Sequence, residues 1–306
     1  MQIKRLLIPQ LNTPPNKELV QELPAGKTIP RVIHQIGIRP AFQGRELPPI
    51  LQENVDHLRA LNPEWEYRFY DDDDISDFLV RHYPPHVLDA FQRIHPRYGA
   101  ARADLFRYLL MYKMGGVYLD IKSRATRPLD ELIRSEDQFI LSQWRTADGQ
   151  FTAWGELHDL RHIPGGEYQQ WHIFCAPGHP FLRAVIEQVL FNLGKYDPFL
   201  HEAGKNGVLR LTGPVPYTVA IQRILSGHPH RFVSGHDQLG LEYSVYSGNQ
   251  QSHEQVFKEH YKSQTASIVR LGLHKQPLSQ VYRLAQYCHD RLRRPNPLRA
   301  SPSHAG

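Results

Sequence analysis

The 306 residues are 41% hydrophobic and 22% charged, a balance that excludes wholesale disorder and allows one large or two modest folded domains. Lysine and arginine number 36 against 31 acidic residues, and a formal charge of +5 over this length excludes the basic footprint of a nucleic-acid binder. Two cysteines, Cys175 and Cys288, exclude a disulfide framework and point to a reducing compartment.

Residues 1–28 are rich in Pro, Asn and Lys and read as an irregular arm without a signal-type apolar core. No apolar run approaches the roughly 18 residues of a membrane span, so a cytoplasmic location is expected. IPRVIHQIG (29–37) reads as a buried first strand. Pro48 and Pro49 open a helix with Ile50, Leu51, Val55, Leu58 and Leu61 on one side, stopped at Asn62-Pro63. Trp65, Tyr67 and Phe69 then alternate as in a strand, and the aspartates 71–74 are placed to cap the next helix. Helical stretches follow at 75–82 and 87–94. Residues 100–114 form the strongest helix signal, with Leu105, Leu109 and Tyr112 at i, i+4 and i+7 and a Gly115-Gly116 stop. A short strand is expected at 117–121.

This alternation is the grammar of an α/β sheet with mostly parallel strands, which presents ligands beyond the carboxyl ends of its strands. Further on, 145–170 reads as long loops or a small insertion, 171–176 as a strand, 181–193 as a helix, 208–214 as a strand and 217–225 as a helix. Residues 276–293 form an amphipathic helix with a basic end. It either lies on a membrane or lipid-linked acceptor, or packs its Val281, Leu284 and Cys288 face on the domain. A Pro/Ser-rich tail, 294–306, is expected to be disordered, leaving 29–293 as a single domain.

The chemistry concentrates in ARADLFRYLLMYKMGGVYLDIK (101–122). Asp104, Arg107 and Tyr108 share one helical face opposite Leu105 and Leu109, and Asp120 falls near the carboxyl end of a strand. An Asp and an Arg three apart usually make a solvated ion pair worth about 0.3 kcal/mol. Their combination with Asp120 in one helix–Gly-Gly–strand unit points instead to a ligand site.

That unit resembles the sugar-nucleotide-binding core of glycosyltransferase family 32 and of the related glucosylating toxins. Their pattern is a small residue and Asp, then Arg-Tyr, then Gly-Gly-x-Tyr-Leu-Asp-x-Asp. The similarity covers 29–132, is weaker at PGHPFLRAVI and LTGP, and fades after residue 222. It implies the GT-A nucleotide-diphospho-sugar transferase fold, a mostly parallel mixed sheet flanked by helices. It also implies a hexosyl transfer with retention of configuration, from a UDP- or GDP-sugar to a glycan or lipid-linked hydroxyl acceptor, as in polysaccharide biosynthesis. By the same resemblance Ile33, His34 and Gln35 lie where the base is cradled, Asp104 contacts ribose or the transferred sugar, and Arg107 reaches the donor. Tyr118 is the aromatic before the acidic motif and Asp120 its first carboxylate. Gln170 and His172 line the transferred-sugar pocket. His260 falls where relatives close a C-terminal His/Ser segment over the diphosphate, a weak candidate metal ligand.

One position departs from the pattern: the second acidic residue is Lys122, and an ammonium has three donors and no lone pair for a metal. Three readings stay open. Lys122 itself meets the departing diphosphate; Mn²⁺ or Mg²⁺ binds through Asp120, the donor oxygens and a distant residue; or the chain is a non-catalytic sugar-nucleotide-binding module in a glycan-synthesis complex. The partners implied are a nucleotide-diphosphate sugar and a glycan or lipid-linked acceptor, with peripheral contact at the inner face of a membrane through 276–293.

Overall fold

The computed structural model describes residues 11–38, 46–144, 154–246 and 266–271. A six-stranded mixed sheet carries helices against it, the α/β architecture expected from the sequence. Strands β1 (Val32–Ile36), β2 (Glu66–Tyr70) and β3 (Gly116–Leu119) run parallel, with β1 in the middle. β3 then pairs antiparallel with β6 (His172–Cys175), which pairs antiparallel with β5 (Phe139–Ser142), and β5 pairs parallel with β7 (Arg231–Val233). The spatial order is β2-β1-β3-β6-β5-β7. A separate antiparallel pair joins β4 (Arg124–Ala125) to β8 (Leu241–Glu242).

The period-two alternation of strands sorts the core onto both faces of the sheet. Val117, Leu119 and Phe174 pack on one side with Trp144 and Trp171, while Tyr118, Ile173 and Cys175 pack on the other against the helices.

Helix α1 (Pro49–Leu61) starts on Pro49 as expected and buries Leu51, Val55 and Leu58. Helix α2 (Asp72–His82) has the anticipated aspartate cap: Asp71 accepts from the backbone amides of Asp73 and Asp74, and Asp74 accepts from the amide of Asp71. Helix α3 (Pro85–Arg93) leads into α4 (Gly99–Met114). A single apolar stripe is expected for α4, but it is buried on every side, with Leu105, Phe106, Tyr108, Leu109, Leu110, Met111 and Tyr112 all inaccessible. It packs against α5 (Pro180–Lys195) as the central helix of the molecule, so its polar residues are carried into the interior with it.

The turn from α4 to β3 needs its two glycines. Both have positive φ, +63° at Gly115 and +99° at Gly116. A Cβ would lie 2.6 Å from the Pro177 nitrogen at the first and 2.5 Å from the Val32 carbonyl oxygen at the second. The chain therefore reverses directly into the sheet, and Asp120 follows β3 within four residues of Gly116.

Two expectations are corrected. Residues 208–214, read as a strand, begin inside helix α7 (Gly204–Leu211), which follows the short α6 (Pro198–His201). Gly204, Gly207, Val208 and Leu211 are buried at i, i+3, i+4 and i+7, a helical stripe whose first half precedes the stretch that looked β-like. Strands β5 and β7 were not anticipated, and with β6 running antiparallel they make the sheet more mixed than the β-α alternation implies. Helix α8 (Pro214–Ile224) occupies the stretch expected to be helical.

Residues 11–28 form no helix or strand, yet they are fastened down: Val20 is buried, and the Leu23 amide donates to the Tyr112 hydroxyl at 2.9 Å. Residues 145–153, His260, the helix expected at 276–293 and the tail 294–306 lie outside the described residues. Among those described, no helix is long and apolar enough to cross a membrane.

Candidate functional site

The helix–Gly-Gly–strand unit brings Asp104, Arg107 and Asp120 into one bonded network. Arg107 Nη2 donates to Asp104 Oδ1 at 2.7 Å and Nη1 to Asp120 Oδ1 at 3.1 Å. Its Nη1 also reaches the Gln170 carbonyl at 2.9 Å. The side chains of Asp104 and Arg107 are only 5% and 6% exposed, so this is a buried ion pair rather than the solvated one an isolated i, i+3 spacing suggests. Such a pair offsets its desolvation only when the remaining donors and acceptors are satisfied. They are: Asp104 Oδ2 accepts from Thr212 Oγ1 at 2.9 Å and Oδ1 from Gln170 Nε2 at 3.3 Å. Burial raises the Asp104 pKa, with Arg107 and these hydrogen bonds pulling the other way.

Asp120 is held differently. Its amide donates to the Trp171 carbonyl at 2.8 Å, and its own carbonyl accepts from Ser123 at 2.8 Å to close a turn over 120–123. Oδ1 takes two hydrogen bonds, from Arg107 and from the Tyr118 hydroxyl at 2.8 Å. Burial pushes the Tyr118 phenol well above its ordinary pKa, so it stays a donor, and the Arg107 guanidinium lies 5.0 Å from its ring centroid. The Asp120 side chain is 23% exposed, and Oδ2 takes none of these bonds. A rigid carboxylate thus presents one oxygen outward at the carboxyl end of β3, where an α/β sheet offers groups to ligands.

Lys122 shares the turn with Asp120 but leaves in another direction. Its ammonium donates to the Tyr243 hydroxyl at 2.7 Å and sits 3.9 Å from that ring's centroid. Asn54 holds the turn by donating to the Ile121 and Ser123 carbonyls at 3.2 and 2.8 Å. The other side is tied by Ser123 Oγ to the Tyr243 carbonyl at 3.1 Å and by the Val245 amide to the Lys122 carbonyl at 2.8 Å.

The remaining sequence-derived candidates divide. Gln170 joins the network, its Oε1 2.5 Å from the Tyr108 hydroxyl, which also approaches the Thr212 carbonyl at 3.0 Å. His172 belongs to a second buried cluster: Nε2 lies 2.9 Å from Ser142 Oγ, and burial lowers its pKa to about 3, so the ring is neutral. Ile33 is a core residue. His34 is inaccessible, with Nε2 3.0 Å from the Gly115 carbonyl and Nδ1 3.2 Å from the Tyr70 hydroxyl, and it fastens β1 to the Gly-Gly turn. Gln35 accepts from Tyr67 at 2.9 Å, and its buried Nε2 donor has no partner among the described residues. Thr212, which the sequence suggests as a turn or cap residue that could border the acceptor, instead bonds Asp104, and Tyr243 was not among the candidates. They lie 108 and 121 residues from their partners, and no local pattern announces contacts of that range.

The metal that an Asp-x-Asp pattern implies does not fit these residues. A divalent cation of this kind wants several oxygen ligands. Here one Asp120 oxygen is engaged by a guanidinium and a phenol, Asp104 is fully bonded internally, and the second motif position is an ammonium. Among the described residues no group of three or more His, Cys, Asp or Glu could hold a metal.

Residues 48–139, which span α1 to the start of β5, match the family described as "Glycosyltransferase sugar-binding region containing DXD motif". The resemblance read from the sequence is borne out over residues 48–139, the stretch similar to that glycosyltransferase region. It is similar to inositol phosphoceramide mannosyltransferase 3 of Schizosaccharomyces pombe, 28% identical over 190 residues that cover 61% of this chain and 43% of that protein. It is also similar to the initiation-specific alpha-1,6-mannosyltransferase of Candida albicans, 29% identical over 172 residues, 51% of this chain and 43% of that protein. The chain thus spans less than half the length of these curated relatives. Among solved structures it shows a loose likeness to the PaToxG glycosyltransferase, with a TM-score of 0.47, 15% identity, and 67% and 72% of the two chains covered.

Proposed function

We propose that the chain transfers a hexose from a nucleoside diphosphate sugar to a hydroxyl of a glycan or lipid-linked acceptor, with retention of configuration. The observation that carries this reading is the preset carboxylate of Asp120, bonded by Arg107 and Tyr118 and open on one oxygen, inside the matched sugar-binding region. Both curated relatives are named as mannosyltransferases, which supports mannose as the transferred sugar.

In this reading Asp120 Oδ2 accepts from hydroxyls of the donor and fixes its register. Arg107 keeps that carboxylate aimed, and Asp104, Thr212 and Gln170 keep Arg107 in place. The bond from the anomeric carbon to the diphosphate breaks with its electron pair on the phosphate oxygen. The acceptor oxygen forms the new bond on the same face, and its proton passes to the departing phosphate.

The test is release of nucleoside diphosphate from UDP- and GDP-linked hexoses, with mannosides and phosphoinositol lipids as acceptors. Release is expected from at least one donor. The Asp120→Asn chain should lose about 2 to 3 powers of ten in rate, comparable to removing a transition-state contact, with its melting temperature little changed. Asp120→Asn releasing as fast as the unaltered chain, or no release from any donor–acceptor pair, would reject the assignment.

A further inference from the structure

Resting on that reading, the geometry points to a donor site whose diphosphate is neutralised by Lys122 in place of a divalent cation: we infer that the chain binds its nucleoside diphosphate without metal.

The first support is charge. The matched family is described by its Asp-x-Asp motif, whereas this chain reads Asp120-Ile121-Lys122. Exchanging a carboxylate for an ammonium changes the local charge by two positive units, the charge a divalent metal brings. With Asp104 and Asp120 negative and Arg107 and Lys122 positive, the described groups sum to zero before any ion arrives. A dication entering here would meet the Lys122 ammonium at the position that elsewhere supplies its ligand.

The second support is how Lys122 is held. Among the described residues its ammonium is paired with no carboxylate. It rests on a neutral phenol, 2.7 Å from the Tyr243 hydroxyl and 3.9 Å from the ring centroid. A phenol and a π face orient a cation without cancelling its charge, so the full charge is left for an anionic ligand. The backbone beneath it is pinned from both sides by Asn54 and by residues 243–245, so the ammonium extends from a fixed turn two residues after Asp120.

The third support is an unspent donor next to this pair. The Trp171 ring meets the Tyr243 ring at 5.5 Å, and Trp171 is 5% exposed, yet among the described residues its indole N–H finds no acceptor. Buried N–H groups are nearly always bonded in finished structures. A phosphate oxygen reaching Lys122 would bring the acceptor that this region lacks.

Calorimetric titration of the full chain with UDP and with GDP, each in EDTA and in excess Mn²⁺, decides the matter. At least one nucleotide should bind in EDTA with the same affinity as in Mn²⁺. Lys122→Met should weaken that binding at least about tenfold under both conditions, the worth of one charge-assisted contact. Lys122→Arg should keep most of it. Lys122→Asp should lose binding in EDTA and regain it in Mn²⁺, with protein-bound Mn²⁺ visible by electron paramagnetic resonance. Melting curves confirm that each variant is folded. Tighter binding to the unaltered chain in Mn²⁺ than in EDTA, by about tenfold or more, overturns the inference and leaves the donor site standing. So does a Lys122→Met chain that binds like the unaltered one. Absence of binding by either nucleotide under both conditions removes the donor site itself, and the inference with it.

Discussion

Arg107 and Asp120 lie thirteen residues apart in sequence and meet at 3.1 Å, across a glycine turn that only positive-φ residues can make. The helix supplies the cation, the strand supplies the anion, and the turn sets the distance between them. Four predictions follow from that relation and its surroundings.

Replacing Arg107 by Ala leaves Asp104 buried with its main counter-charge gone, and breaking a buried pair in this way costs about 3 to 5 kcal/mol. Lysine should not rescue it, because one ammonium cannot fork to both Asp104 and Asp120 as the guanidinium does. Urea unfolding at pH 7 should show both losses; a lysine variant as stable as the unaltered chain would contradict the forked geometry.

Tyr118→Phe removes one of the two donors on Asp120 Oδ1 while leaving the ring in place. A stability loss of about 1 kcal/mol is expected from a single hydrogen bond. The rate of diphosphate release should fall more than that loss implies, since the carboxylate gains freedom to turn. Crystals of the variant should show the Asp120 side chain in more than one rotamer. A single unchanged rotamer with unchanged rate would mean Arg107 alone aims it.

Gly116→Ala combines a backbone conformation that side chains rarely adopt with a Cβ 2.5 Å from the Val32 carbonyl. The loss should exceed the roughly 1 kcal/mol of an ordinary glycine substitution. It should appear as a lower melting temperature together with weaker nucleotide binding, because β3 would shift relative to β1. Gly194→Ala, where a Cβ meets nothing within 4 Å, is the control and should be close to neutral.

Acid should destabilise the fold. Burial lowers the pKa of His34 to about 4, of His172 to about 3 and of His179 to about 4, from an ordinary 6.5. Between those values the unfolded chain binds protons that the native chain refuses, so stability falls as pH drops from 6.5 toward 4. Glu167 acts in the opposite sense. Burial raises its pKa to about 7, against a hydrogen bond from the Trp144 indole, so its contribution is largest below 4.5 and is lost as pH rises toward 7. The three histidines, with His236 and Asp137 shifted in the same destabilising sense, set the direction, and melting temperature should decline on acidification. Glu167→Gln should steepen that decline by removing a carboxyl that acts in the opposing sense. A flat profile from pH 7 to about 4.5 would show that these rings are protonated without cost.

How much of this could be read in the sequence depended on distance along the chain. The α4–turn–β3 unit is local: its periodicity, paired glycines and Asp120 lie within about twenty residues, and each leaves a pattern in the letters. Its depth does not, because one helix shows only its own stripe, and whether α5, α7 and α8 cover the other sides is decided elsewhere. That is why the Asp104–Arg107 spacing, taken alone, suggests a solvated pair. Strands β5 and β7 are four and three residues long and carry no alternation of useful length. Helix α7 was cut in half by starting at Val208, where Val-Leu-Arg-Leu mimics a strand. Thr212 and Tyr243 make their contacts from the far side of the sequence, and only tertiary structure reveals those contacts.

The ties around the turn over 120–123 bear on how the protein can be subdivided. The matched sugar-binding region stops at residue 139, yet its Arg107 depends on Gln170, its Asp104 on Thr212, and its Lys122 on Tyr243. Excised alone, that region would keep every letter of its motif and lose the neighbours that make the motif a site. The smallest autonomous piece must therefore reach past Val245, and grafting the motif onto another sheet would fail unless those three distant supports travelled with it.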